Sequence, residues 1–315
     1  MRSRRDFLTT SLWMGAGLAL GTSFSTLASN GQSDADALPP PEALRTRAIP
    51  GTDEQLPVIG AGTSGSFVAN IGSDKYLRLK EAMTIFFASG AKVFDTSPNY
   101  GGADRILGAL LEEGGWRDQC FLATKIAANS REAAQRQWVG SLEALRTDHV
   151  ELLQVHNLRD WQTQLAYAHE LKEEGKTRYV GITHYTPYGL DEMAHILRQE
   201  PLDFIQINYS ISSPQAAREV LPLAQDKGVA VLINRAFDDG DLFSKVEDKP
   251  LPGWAGEVGA ESWAQLFLKF AISHPATTTV IPATSKPTHQ RDNLRAGYGP
   301  LLNEEQQREL IALEL

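Results

Sequence analysis

The sequence predicts one (β/α)8 barrel of the TIM type, and three observations point to it. Eight short apolar runs recur between Val58 and Ile281, amphipathic segments separate them, and glycines stand near the helix ends. Such an alternation in about 230 residues suits one parallel barrel better than two domains. An open doubly wound sheet is the rival, but it carries a Gly-x-Gly-x-x-Gly turn after its first strand. Gly60-Ala61-Gly62 lacks the third glycine.

In chain order, Val58–Gly62 is the first strand, and a helix follows over Tyr76–Ser89 before Gly90. Val93–Thr96 precedes a helix over Arg105–Glu113, with Gly114 as its cap. Phe121–Lys125 leads to Arg131–Leu145, apolar at Ala134, Trp138, Leu142 and Leu145, which is helical spacing. Leu152–His156 and the helix Thr163–Glu174 follow, closed by Gly175, then Tyr179–Thr183 and Leu190–Gln199. Phe204–Asn208 precedes Ala216–Lys227 and Gly228; Ala230–Asn234, Ser262–Ser273 and Thr278–Ile281 complete the set. The connection from Phe237 to Glu261 is out of scale, a length typical of lids and binding loops or of a floppy insertion.

The amino terminus has another character. Ser3-Arg4-Arg5-Asp6-Phe7-Leu8 precedes a weakly apolar stretch, Thr9 to Ala28, without acid or base. This resembles a twin-arginine (Tat) export signal over residues 1–28, with cleavage after Ala28 or Ala37, and implies the Tat machinery as partner and the periplasm as destination. Its many small polar residues disfavour a stable membrane anchor. Residues 29–45, with Pro39-Pro40-Pro41, form a flexible leader to a barrel domain over 46–315.

The 315 residues carry 39 acidic and 30 basic side chains, a net charge of -9. Losing residues 1–28 removes three arginines and one aspartate and takes the charge to -11. An acidic chain without a basic face is a poor partner for nucleic acid. Cys120, the single cysteine, has no internal disulfide partner and is far short of a zinc site.

In such barrels the chemistry sits at the C-terminal strand ends. Those ends offer Asp95, Lys125, His156, Thr183-His184, Gln206 and Asn234-Arg235, with Tyr100 five residues beyond Asp95. Each alone has a plain explanation: a capping aspartate, a packed loop tyrosine, a core histidine, a lysine reaching solvent. Placed together at the ends of consecutive strands, they point to a site. A lysine closing an apolar strand needs a carboxylate partner if it is buried.

At these residues the sequence resembles the aldo/keto reductases. The resemblance runs from Leu56 to about Leu294. It rests on Phe94-Asp95-Thr96-Ser97-Pro98-Asn99-Tyr100-Gly101, Thr124-Lys125, Leu153-Gln154-Val155-His156 and Ile281-Pro282-Ala283-Thr284-Ser285-Lys286. It implies a catalytic tetrad of Asp95, Tyr100, Lys125 and His156, and reduction of a small-molecule carbonyl, or oxidation of the alcohol. The expected logic is a phenol whose pKa, near 10 when free, is lowered by Lys125. His156 would orient the substrate oxygen.

The resemblance also implies a nicotinamide site at Thr183, His184, Gln206, Asn234 and Arg235, and a phosphate site at Thr284, Ser285, Lys286 and Asn293, ahead of the last helix. Here the chain departs from the family. Thr183-His184 replaces a Ser-Asn pair, Asn234-Arg235-Ala236-Phe237 replaces a stacking tyrosine, and Ala283 and His289 replace a lysine and an arginine. Lys286 and Arg291 are the compensating cations, so NADP(H) is expected in preference to NAD(H). Phe67, Asn157, Trp161, Tyr185 and Trp254 are candidates for the mouth. Two other functions fit less well: a cofactor-bound sensor barrel with weak turnover, and a metal-dependent hydrolase using Asp95, His156 and His184. The hydrolase is short of strand-end carboxylates.

Overall fold

Helix starts in this protein are written in serine and asparagine. Ser73, Ser130 and Ser262 accept the Tyr76, Ala133 and Gln265 N–H groups, and Asn303 with Gln306 forms a capping box. The computed structural model describes residues 43–315. The expected export signal, residues 1–28, and residues 29 to 42 of the expected leader lie outside the described residues. Leu44, which follows them closely, is buried, and Arg45 donates to the Gly297 and Gly299 carbonyls at 3.1 and 2.9 Å.

The chain opens with an antiparallel hairpin, β1 (Thr46–Ala48) and β2 (Gln55–Pro57). Eight parallel strands follow in sequence order: β3 (Ala61–Gly62), β4 (Val93–Asp95), β5 (Phe121–Ile126), β6 (Val150–His156), β7 (Thr177–Thr183), β8 (Phe204–Asn208), β9 (Ala230–Asn234) and β10 (Thr279–Val280). Parallel bridges from Ile59 to Val280 and from Gly62 to Ala283 close the ring. Three bonds reinforce that seam: Gly60 N–H donates to the Val280 carbonyl at 2.8 Å, Val280 N–H to the Val58 carbonyl at 2.9 Å, and Gly62 N–H to the Pro282 carbonyl at 3.0 Å. A Cβ on Gly62 would lie 2.8 Å from the Ile281 carbonyl oxygen, so the seam needs glycine there.

The helices are α1 (Asp74–Ala88), α2 (Ala103–Gly114), α3 (Arg131–Leu145), α4 (Trp161–Glu173), α5 (Leu190–Gln199), α6 (Val220–Lys227), α7 (Asp241–Val246), α8 (Trp263–Ser273), α9 (Pro287–Arg295) and α10 (Glu304–Ile311). Two expectations change. The helix expected from Ala216 begins at Val220, after a 3-10 turn over Pro214–Arg218. Pro222 explains this, because proline is tolerated in a first turn and disrupts a helix interior. At the end of α2, Gly115 and not Gly114 takes the left-handed cap, at φ 64°. A Cβ on Gly114 would strike the Trp116 ring.

The long connection is folded. Phe237 packs on Phe243 at 5.0 Å between ring centroids, Phe243 on Phe267 of α8 at 5.8 Å, and Trp254 Nε1 donates to Glu309 of α10 at 2.8 Å. Ile49 and Leu56, at the hairpin, bury with Val93, Phe121, Leu152 and Phe204 and fill the barrel's N-terminal end. The opposite end is polar. Among the described residues no helix is long and apolar enough to cross a membrane.

Candidate active site

Inward-facing positions alternate along each strand, so the apolar residues filling the floor are followed, two residues on, by polar ones at the top. Phe121 and Ala123 lead to Lys125, Leu152 to Gln154 and His156, Phe204 to Gln206, and Leu232 to Asn234. The polar groups meet in one layer.

Lys125 is fully buried, with Nζ 2.5 Å from Asp95 Oδ2 and 2.9 Å from the Thr96 carbonyl. Burial disfavours its charge, yet the Asp95 carboxylate and the Tyr100 phenol beside it leave its pKa raised. The ammonium lies 5.1 Å from the Tyr100 ring centroid. Tyr100 meets His156 edge to face, with centroids 5.7 Å apart. The structure thus brings together all four residues of the expected tetrad.

The charge balance at Tyr100 differs from the expected one. Burial pushes the phenol above its ordinary value of 10, Asp95 adds to this, and the opposing pull of Lys125 does not overcome them. Burial, Lys125 and Arg159 hold the His156 imidazole down at about 3, so it is neutral across the physiological range. Both groups are therefore set as neutral hydrogen-bond donors.

A buried hydrogen-bond chain runs from this pair across the barrel. Asp95 Oδ1 accepts from Gln154 Nε2 at 3.1 Å and from Gln206 Nε2 at 2.8 Å. Gln206 Oε1 in turn accepts from Thr183 Oγ1 at 3.2 Å and from Asn234 Nδ2 at 3.3 Å. Asn234 Nδ2 also donates to the His184 carbonyl at 3.2 Å, while its Oδ1 is buried with no partner. Thr183, Gln206 and Asn234 thus adjoin the tetrad.

His184 and Arg235 do not join that layer through their side chains. His184 Nδ1 accepts from Thr186 N–H at 3.2 Å, and its ring stacks on Tyr185 at 5.8 Å. A Cβ on Gly189 would overlap that ring. Arg235, left-handed at φ 54°, pairs with Asp239 at 2.8 Å and lies 5.6 Å from the Tyr185 ring centroid. Phe237, the other candidate for a stacking face, belongs to the aromatic cluster of the long connection. Phe67 is buried and packs on Phe94 at 5.9 Å.

A second group forms at α9. Lys286 N–H donates to Thr284 Oγ1 at 3.1 Å, with Ser285 between them, and the Lys286 side chain is exposed at the helix start. Asn293 and Gln290 are buried on the same helix, and Gln290 Nε2 has no partner. Asp292 is structural, accepting from Ser262 at 2.8 Å and Gln265 at 2.6 Å. Among the described residues no three His, Cys, Asp or Glu side chains are grouped as metal ligands.

Two site residues escape a reading of strand ends alone. Gln154 lies two positions before His156, so the period-two alternation that marks His156 as inward marks Gln154 as well. Ser97 bonds to His156 Nδ1 at 3.1 Å, a contact across 59 residues that no local pattern reports.

The pattern of the Aldo/keto reductase family matches residues 58–313. An aldo-keto reductase of Bacillus subtilis (strain 168) is 28% identical over 179 residues, covering 51% of this chain and 52% of that protein. The chain spans about half the length of the curated relatives it matches first. Among solved structures, an aldo-keto reductase from Bacillus halodurans in its holo form superposes with a TM-score of 0.71 at 22% identity, covering 86% of this chain and 96% of that one. An aldo/keto reductase from Klebsiella pneumoniae, solved in complex with NADP and acetate, gives a TM-score of 0.70 at 23% identity, covering 82% and 92%.

Proposed function

The chain belongs to the aldo/keto reductase family, and from that premise we propose that it is an exported, NADP(H)-dependent reductase of small aldehydes or ketones, with Tyr100 as general acid. The observation that carries this reading is the buried Lys125–Asp95 pair beside a neutral phenol that has a neutral imidazole against its face. The residues fit a nicotinamide nucleotide in one respect that needs no analogy. Asn234 Oδ1 at the strand ends and Gln290 Nε2 on α9 are buried polar atoms without partners, and a ligand carrying amides and phosphates would satisfy such groups.

Bound NADPH would supply the hydride to the carbonyl carbon. The protein's share is the other half of the reaction. His156 donates a hydrogen bond that orients the carbonyl oxygen, and Tyr100 gives its phenolic proton to the oxygen as negative charge develops. The phenolate left behind is stabilised by the Lys125 ammonium, which Asp95 holds in place. In reverse, the same phenolate accepts the alcohol proton. Thr183, Gln206, Asn234 and the loop residues His184 and Arg235 would surround the nicotinamide, and Thr284, Ser285, Lys286 and Asn293 the adenosine phosphate.

Arg4-Arg5 and the apolar stretch after them support export by the Tat route, which carries folded proteins and so permits the cofactor to be loaded beforehand. The central test is NADPH consumption with a panel of small aldehydes. Tyr100→Phe is expected to lose turnover by a factor of about 100 or more while retaining NADPH affinity. Near-wild-type rates in that variant would remove Tyr100 from the acid role.

A further inference from the structure

We propose that Ser97 is a positioning residue that fixes the tautomer of His156, placing the imidazole hydrogen on Nε2. The inference rests on the reading of His156 as the donor to the substrate oxygen, and it explains how a neutral histidine is made a donor on the correct side.

Ser97 opens a tight turn, Ser97-Pro98-Asn99-Tyr100, in which Tyr100 N–H donates to the Ser97 carbonyl at 3.1 Å. Within this turn Asn99 N–H donates to Ser97 Oγ at 3.2 Å, as serine turns commonly arrange. The hydroxyl oxygen is thus used as an acceptor, and its own hydrogen still needs a destination. Ser97 is fully buried, so water does not serve. The acceptor within reach is His156 Nδ1, at 3.1 Å. No other acceptor for this hydroxyl occurs among the described residues.

The opposite arrangement, with the hydrogen on Nδ1, would direct it at Ser97 Oγ and leave the serine hydrogen buried without a partner. That state carries an unsatisfied donor, and the Nε2–H state does not. Burial, and after it the charges of Lys125 and Arg159, disfavours a doubly protonated ring. The ring edge facing away from Ser97 therefore carries the hydrogen, and the ring stands edge to face with Tyr100. One turn then sets both donors: its fourth residue is the acid, and its first aligns the histidine.

The test is nitrogen NMR on the full chain labelled with 15N-histidine, with the His156 signals assigned by their loss in His156→Gln. Wild type is expected to show His156 as the Nε2–H tautomer near neutral pH. Ser97→Ala is expected to convert it to a mixture or to the Nδ1–H form. The same variant should lower kcat for carbonyl reduction about tenfold or more, with cofactor affinity unchanged. Ser97→Thr, which keeps the hydroxyl, should restore the tautomer. An Nδ1–H tautomer in wild type overturns the assignment, and so does an unchanged tautomer in Ser97→Ala. If the tautomer responds as expected but the wild-type chain reduces no carbonyl, the Ser97 assignment stands and the reductase reading falls.

Discussion

Among the described residues Asp95 is the one carboxylate paired with the buried Lys125, and this dependence governs the residue-scale behaviour of the site. Neutralising the carboxylate leaves an ammonium buried without a counter-charge, which costs about 3–5 kcal/mol. Asp95→Asn is therefore expected to lower the urea midpoint markedly as well as abolish turnover; unchanged stability would mean that Lys125 reaches solvent after all. His156 makes a separate prediction. Its folded pKa of about 3 lies below the ordinary 6.5. Between those values the unfolded chain takes up a proton that the folded chain refuses. Stability is therefore present above about pH 6.5 and is lost as pH falls toward 3, at up to about 1.4 kcal/mol per pH unit. His156→Gln removes this loss, so the gap between wild type and variant should close between pH 7 and pH 5 in urea titrations. Parallel pH profiles would contradict the burial argument. The same burial explains why Tyr100 departs from the sequence expectation. Lys125 was legible as a neighbour, but the desolvation that outweighs it depends on what covers the phenol.

At the scale of elements, the hairpin β1–β2 is held by one side chain as much as by its own ladder. The Arg47 guanidinium donates to the Ile272 and His274 carbonyls at the end of α8 and to the Thr277 carbonyl in the segment beyond it. A cation there satisfies orphan carbonyls and complements the helix dipole. Arg47→Ala should cost about 2 kcal/mol, read as a lower urea midpoint at constant m-value. A change under 0.5 kcal/mol would show that the hairpin's apolar residues, Ile49 and Leu56, suffice. Most elements were legible from periodicity: α3 and α5 match the expected bounds, as do β8 and β9. The hairpin, α7 and α10 were not anticipated. The hairpin is short and packs through residues distant in sequence, and α7 sits in a stretch of acids, glycines and prolines whose anchor is the Phe237–Phe243–Phe267 cluster.

At the scale of the whole molecule, ring closure is what turns scattered strand ends into a site. The seam between Gly62 and Ala283 joins the two ends of the chain's alternation, and Gln154, Gln206 and Asp95 meet across the interior because the ring is closed. The proposed export belongs to this scale too, since the Tat route acts on a folded molecule. Replacing both Arg4 and Arg5 by lysine is expected to keep the protein in the cytoplasm, as judged by cell fractionation; periplasmic protein in that variant would refute the route. Mass spectrometry of wild-type protein from the periplasm should find a nicotinamide nucleotide, and its absence would sink preloading.

The sequence by itself determined the barrel and the alternation of its strands and helices, because alternation and helical spacing are local; it offered Asp95, Lys125 and His156 at strand ends, while the resemblance to a family joined Tyr100 to them as a tetrad. Tertiary structure alone decided how those side chains are charged and shared. It tied Gln206 and Asn234 into the Asp95 network, turned His184 and Arg235 to their own loops, raised Tyr100 and set Ser97 against His156. These outcomes depend on burial and on contacts between distant residues, and neither is written in the spacing of a linear pattern.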